Sequence, residues 1–285
     1  MDNRFRIDED CRLLREIKNM SREDLANELE LGVATINRWE SKETVPSEDS
    51  MEKFYAYAYK NGVRLNRIKE QFYREDLAKN AILLFHGSKE KIDGEISIAH
   101  SKTNNDFGQG FYLGESFNQA ALFVSAFEKS CVYDLEFQDK NLSKAVYAVD
   151  TEWMLTVACY RDKLKGIISD SKRKEICRKA EAADYIIAPI ADNRTYQIID
   201  SFIDGEITDE QCKHALAATE LGMQYVIKTS KALKCLKVLE RCFLCKQEKE
   251  NYIQVRSSDI KASESKVKAA RIKYRGKGKY IDELI

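Results

Sequence analysis

Asp106–Gly114 reads DFGQGFYLG, the three letters of a kinase metal-binding triplet followed by Gly-x-Gly and two aromatics. Three phosphate-handling folds can be tested against it. A protein kinase needs a Gly-rich loop, a strand lysine and an H-R-D loop ahead of DFG. No H-R-D occurs in this chain. A Rossmann fingerprint needs a third glycine and a strand leading straight into the first, and Gly108-Gln-Gly110 has neither. A P-loop needs Gly-Lys-Ser/Thr, which is absent. The stretch is left as a glycine-hinged loop, and its flanks must decide the fold.

Those flanks are mixed in period. Ahead of it, AILLFHGS is a short apolar run ending in Gly and Ser, read as a buried strand. Behind it, Ser116–Ser130 opens on a capping serine and carries apolar residues at helical spacing. KAVYAVD, ADYIIAPIAD and MQYVIKTS read as further strands. TEWMLTVACYRDKL, DEQCKHALAATELG and SKALKCLKVLERCF (Ser230–Phe243) read as helices. On the second-last helical pattern's predecessor, Trp153 reads as core and Arg161 as structural. Strands and helices do not alternate regularly, so the expected class is α+β.

The region before it is helical throughout. Ser21 with Asp24 three residues on approximates a capping box. Leu25, Ala26 and Leu29 repeat at helical spacing, and Leu31-Gly32 breaks the run. A short helix over Val33–Glu40 puts Ile36 and Trp39 on one face and Ala34, Thr35, Asn37 and Arg38 on the other. Pro46 follows after a turn. From Asp8 to Tyr59 this resembles the helix-turn-helix of phage-repressor (Xre-type) DNA-binding domains. The resemblance implies that Thr35, Asn37 and Arg38 face DNA in the major groove while Trp39 is core. Residues 1–80 hold 15 basic and 17 acidic side chains, a poor balance for phosphate neutralisation. Two readings stay open: DNA contact, or a bundle that holds a protein partner. Glu52–Lys79 reads as one or two amphipathic helices.

The expected organisation is a helix-turn-helix domain with its connector over 1–75, a mixed domain over 81–260 and a basic tail over 261–285. The tail has eight basic and three acidic residues and reads as a solvated segment, or as a helix that folds on a partner. The 285 residues are 44% hydrophobic and 33% charged with zero formal net charge, the balance of a soluble globular protein. No apolar run reaches membrane-spanning length, and the first residues lack a signal-peptide core. A cytoplasmic setting with reduced thiols is expected for the eight cysteines. Cys242-Phe-Leu-Cys245 is a lone C-x-x-C, so no metal is expected there.

Four pieces of the mixed domain occur in a telling order: the strand ending His86-Gly87-Ser88, Asp106-Phe-Gly-x-Gly-Phe-Tyr-Leu113, the strand ending Pro-Ile-Ala-Asp192, and Gln224-x4-Thr229-x2-Ala-Leu233. This arrangement resembles the ADP-ribosyltransferase superfamily and, more narrowly, the bacterial domain of unknown function 3990. The resemblance implies NAD as co-substrate and His86, Tyr112 and Gln224 as catalytic residues. His86 would bond the adenosine ribose and the Gly87 backbone the carboxamide. Tyr112, with Phe111 beside it, would stack on nicotinamide. Ser88, Asp106, Phe107, Gly108 and Gly110 complete the implied cofactor loops, and Asp192 would supply negative charge, with Arg194 near the pyrophosphate. Where many transferases carry glutamate, Gln224 offers no carboxylate base.

The function so implied is NAD-dependent mono-ADP-ribosyl transfer to a protein or nucleic-acid acceptor, in a bacterial toxin or phage-defence setting. The helix-turn-helix would meet DNA or an antitoxin. Two alternatives remain: an NAD- or ADP-ribose-sensing DNA-binding regulator with a degenerate transferase domain, and an NAD glycohydrolase.

Overall fold

The computed structural model describes residues 5–219 and 221–285, leaving aside the side chains of Asn193, Arg194 and Ala262. In chain order its elements are α1 (Ile7–Lys18), α2 (Arg22–Glu28), α3 (Val33–Glu40), α4 (Glu48–Lys60), α5 (Leu65–Asp76), β1 (Ile82–Ser88), β2 (Phe111–Gly114), α6 (Phe117–Val124), β3 (Cys131–Phe137) and β4 (Lys144–Val146). They continue with α7 (Thr151–Tyr160), α8 (Asp170–Glu181), β5 (Tyr185–Pro189), α9 (Asn193–Ile203), α10 (Asp209–Ala217), β6 (Met223–Ile227), α11 (Ser230–Leu233), β7 (Leu236–Phe243) and α12 (Lys246–Lys273). The class is α+β, with helices first and a mixed sheet architecture after.

The chain forms two compact units, and each draws on separated stretches. The first holds Met1–Gly94, Ser116–Gln138 and Lys237–Val255; the second holds Glu95–Glu115, Asp139–Leu236 and Arg256–Ile285. They cut across the consecutive bounds read from the sequence.

In the first unit the helical region forms as its caps dictate. The Ser21 side chain accepts from the Asp24 amide while Asp24 accepts from the Ser21 amide, so two orphan helix donors are met. Leu14, Leu25, Ile36 and Phe54 are fully buried at its centre, with Trp39 beside them. Glu40 is buried and ties the first three helices together. It accepts from Arg15 Nε at 2.7 Å and Arg22 Nε at 2.7 Å, and its backbone oxygen accepts from Arg12. β1 runs antiparallel to β3, with Ile82 opposite Phe137 and Ser88 opposite Cys131, and β7 lies on the far side of β3. Helix α6 covers β1 at Gly87, where a Cβ would stand 2.5 Å from the Ala120 oxygen.

The helices and the strands of this unit share a buried ionic joint. Lys69 on α5 is almost wholly buried and meets Asp10 of α1 at 2.7 Å. It also meets Glu240 of β7, while the Tyr55 hydroxyl donates to Asp10 and Tyr73 donates to Glu240 at 3.0 Å. Burial alone would push the Lys69 ammonium down, yet Asp10 and Glu240 hold it well above its ordinary range. On the neighbouring strand, burial and then the Glu240 charge raise the Asp134 carboxyl well above its ordinary range.

The second unit orders its strands β4-β5-β6-β2, with β4 and β5 parallel and the other pairs antiparallel. Its core gathers Phe107, Tyr147, Trp153, Met154, Val157, Ile199 and Phe202.

Two expectations are corrected. Ser230–Phe243 is not one helix: α11 ends at Leu233 and β7 follows. Residues 261–285 are not a loose tail. Helix α12 continues to Lys273, and Ile281 is buried against the second unit's core. The return is pinned where the Lys279 amide donates to Asp209 Oδ1 at 2.8 Å and the Asp209 amide donates to the Lys279 oxygen at 2.9 Å. Cys242 and Cys245 fall in separate apolar clusters.

Removing one partner of a buried ion pair leaves the others charged and unpaired. Lys69→Met is expected to lower the first unit's stability by about 3–5 kcal/mol in urea unfolding. Lys42→Met, at the exposed end of a pair with Asp8, should change it by less than about 1 kcal/mol. Equal small effects would show that the joint carries no weight.

Candidate functional site

The implied residues divide between the two units. His86, Gly87 and Ser88 end β1 in the first. His86 stands opposite Tyr133 in the β1–β3 register, with ring centroids 6.4 Å apart, and is half-buried. The Ser88 hydroxyl donates to the Glu90 oxygen at 2.6 Å. In the same unit, α3 exposes Asn37 and Arg38 and half-exposes Thr35, while Ile36 and Trp39 are buried, as expected of a helix read on one face.

The second unit assembles a polar cluster around Asp106, which is 6% exposed. Gln224, at the start of β6, donates from Nε2 to Asp106 Oδ2 at 2.9 Å and to the Pro189 oxygen at 3.0 Å. The Ala191 amide donates to the same carboxylate oxygen at 3.1 Å. Arg161, the C-cap of α7, donates from Nε to Asp106 Oδ1 at 2.9 Å and from Nη2 to the Ala191 oxygen at 2.7 Å. Its guanidinium lies over the Tyr196 ring, 3.9 Å from the centroid. A buried carboxylate is tolerated only when donors surround it, and here they come from three separated stretches of chain.

The loop from Asp106 to Gly110 is built onto this cluster. Gly108 has φ +70°, the left-handed region that suits glycine. Gly110 passes so close to β6 that a Cβ would stand 2.7 Å from Val226 Cγ1. The Tyr112 hydroxyl donates to the Gly108 oxygen at 2.7 Å and accepts from the Phe107 amide at 3.1 Å. Burial raises the Tyr112 phenol well above its ordinary range, so it is neutral and can act as neither base nor anion. Lys228 donates into the loop from below, to the Phe107 oxygen and to the Gln109 oxygen at 2.7 Å. Burial lowers it to about 8, more than Glu181 and Cys177 raise it.

Tyr112, Gln224, Asp106, Gly108 and Gly110 are therefore brought together. The Phe107 ring is fully buried against Tyr147 and Tyr160. Phe111 is nearly as buried. Asp192 is exposed and caps α9, accepting from the Thr195 amide at 2.9 Å. The Arg194 side chain lies outside the described residues. Arg161, read only as structural, proves to be the counter-ion of the cluster. Its signal was an arginine closing a helix whose last two turns, Trp153–Tyr160, carry no charge.

A family model described as "Protein of unknown function (DUF3990)" matches residues 82–238, more than half of the chain. A helix-turn-helix family model matches residues 12–54. No curated protein and no solved structure matches.

Lys228 gives the cluster a pH signature. Its folded value lies below its ordinary 10.5, so between about 8 and 10.5 the unfolded chain binds the extra proton and stability rises with pH. Removing the group removes that rise. The unfolding free energy of Lys228→Met relative to the native chain should therefore fall across this window, and a pH-independent difference would refute the assignment.

Proposed function

The chain belongs to the DUF3990 family, and from that premise we propose that its mixed region binds NAD and transfers ADP-ribose from it to a protein or nucleic-acid acceptor. The observation that carries this reading is the Asp106–Gln224 contact beneath the Tyr112 loop. Breaking the bond from ribose to nicotinamide sends the electron pair out with the leaving ring and makes the sugar oxocarbenium-like. A site for that step needs an aromatic face for the departing ring and a polar group fixed beside the sugar. Tyr112 has its hydroxyl committed to the loop, so its ring is what it offers. Gln224 is the fixed polar group.

The test is incubation with NAD labelled in its adenylate half together with cell lysate. Release of nicotinamide and a labelled macromolecule are expected. Tyr112→Phe, which keeps the ring, should retain most of the turnover, while Tyr112→Ala should lose about a hundredfold or more. Absence of both products ends the enzymatic reading. Free ADP-ribose without labelled acceptor turns it into an NAD glycohydrolase.

A second reading is favoured by the helix-turn-helix match over 12–54 and by the exposure of Asn37 and Arg38 on α3. It is a DNA-binding regulator whose NAD-binding half senses NAD or ADP-ribose. Arg15 and Arg22 are engaged by the Glu40 carboxylate and Arg12 by its backbone oxygen, and acidic side chains outnumber basic ones over residues 1–80, so the salt dependence should be shallow. Fluorescence anisotropy with duplex DNA should show binding that Arg38→Ala weakens, by about 1–3 kcal/mol where it reads a base. Binding untouched by Arg38→Ala and Asn37→Ala would place DNA elsewhere or nowhere.

A further inference from the structure

The two ends of a glutamine amide have the same shape, and its neighbours decide which end turns outward. At Gln224 both inward neighbours are acceptors: Asp106 Oδ2 and the Pro189 oxygen. An amide oxygen turned toward them would set lone pairs against lone pairs. Nε2 therefore faces inward and both of its hydrogens are spent. Asp106 is not at liberty to adapt. Its Oδ1 is gripped by Arg161, and its Oδ2 also accepts from the Ala191 amide. Arg161 is in turn fixed by the Ala191 oxygen and by the Tyr196 ring.

We propose that Asp106 and Arg161 are positioning residues that lock the Gln224 amide with its carbonyl oxygen Oε1 turned away from the cluster, so that this position accepts a hydrogen bond from a ligand hydroxyl. The identity of that hydroxyl, one of the ribose groups of NAD, rests on the function proposed above; the orientation of the amide does not. The arrangement offers the acceptor that a carboxylate would offer without placing a charge there. The Asp106 charge stands behind the amide and polarises it toward a stronger acceptor.

Three variants test the lock. In Asp106→Asn, Arg161 claims the new amide's oxygen. Its nitrogen then faces Gln224 Nε2, donor against donor, and Gln224 must flip. In Gln224→Glu two carboxylates face each other. The double variant D106N/Q224E sets an amide donor against a carboxylate and restores that one contact, while the Pro189 oxygen and the Ala191 amide stay mismatched. Each single variant should lose about tenfold or more in NAD cleavage, and the double should lose several-fold less than the product of the two single losses, because contacting residues couple. The pH–rate profile of Gln224→Glu should gain a step from the shared proton of its carboxylate pair, and the double should lack it.

Melting temperatures of the four ligand-free proteins supply the same cycle without chemistry. A double variant no more stable and no more active than the sum of its singles overturns the proposal. A coupled melting cycle in a protein that cleaves no NAD keeps the lock and removes the NAD reading.

Discussion

A carboxylate shut away from water has to be met by donors, and that demand at Asp106 organises the candidate site. It is satisfied by a guanidinium at the end of α7, a backbone amide after β5 and a side-chain amide at the start of β6. None of these could shift without leaving a buried polar group unpaired, at a cost of about 1–3 kcal/mol each. The loop that follows Asp106 inherits that rigidity. Lys228 and the Tyr112 hydroxyl both bond its backbone. The aromatic ring is thus held by a loop that is itself held, the preorganisation that the proposed dinucleotide site would require.

Lys69 plays the corresponding part in the first unit, with a different consequence. Its ammonium joins α1, α5 and β7 through Asp10 and Glu240. Buried ion pairs seldom add stability over an apolar replacement of equal shape, because desolvation cancels most of the attraction. What they resist is any other docking, since each alternative strands a charge. The helix-turn-helix is therefore seated on the β1–β3–β7 strands of its own unit by geometry as much as by apolar contact. Tyr55 of α4 stacking on Phe243 at 5.2 Å supplies the apolar part of the same seat.

Legibility in the sequence followed how far each element's burial obeys simple periodicity. The bounds of α3 could be read because Ile36 and Trp39 are its buried apolar residues and Gly32 precedes them. β1 and β5 could be read because nothing charged interrupts them. β7 was mistaken for helix because Leu236, Glu240 and Cys242 alternate inward with a charge among them, and a buried glutamate looks like an outward residue until its lysine is known. β3 was missed for the same reason, with Asp134 at its centre. The C-terminal cations suggested a loose tail because the residues that anchor it, Ile281, Leu284 and Ile285, come only after a long run of charges.

The glycines show why the candidate site was only half legible. Gly87 and Gly110 invited a ligand reading, since a missing Cβ lets backbone approach a cofactor. Each already has a sufficient reason within its own unit: α6 presses on one and β6 on the other. A ligand and a neighbouring element make the same demand on a residue, and no sequence pattern separates them. Hydrogen-bonding side chains are more informative, because donors and acceptors must match in kind as well as in space. Gln224 and Asp106 lie 118 residues apart. Each looks unremarkable alone: a neutral residue where a carboxylate was expected, and an acid that seemed only to shape a loop. Their contact assigns the outward face of one and the charge behind it to the other.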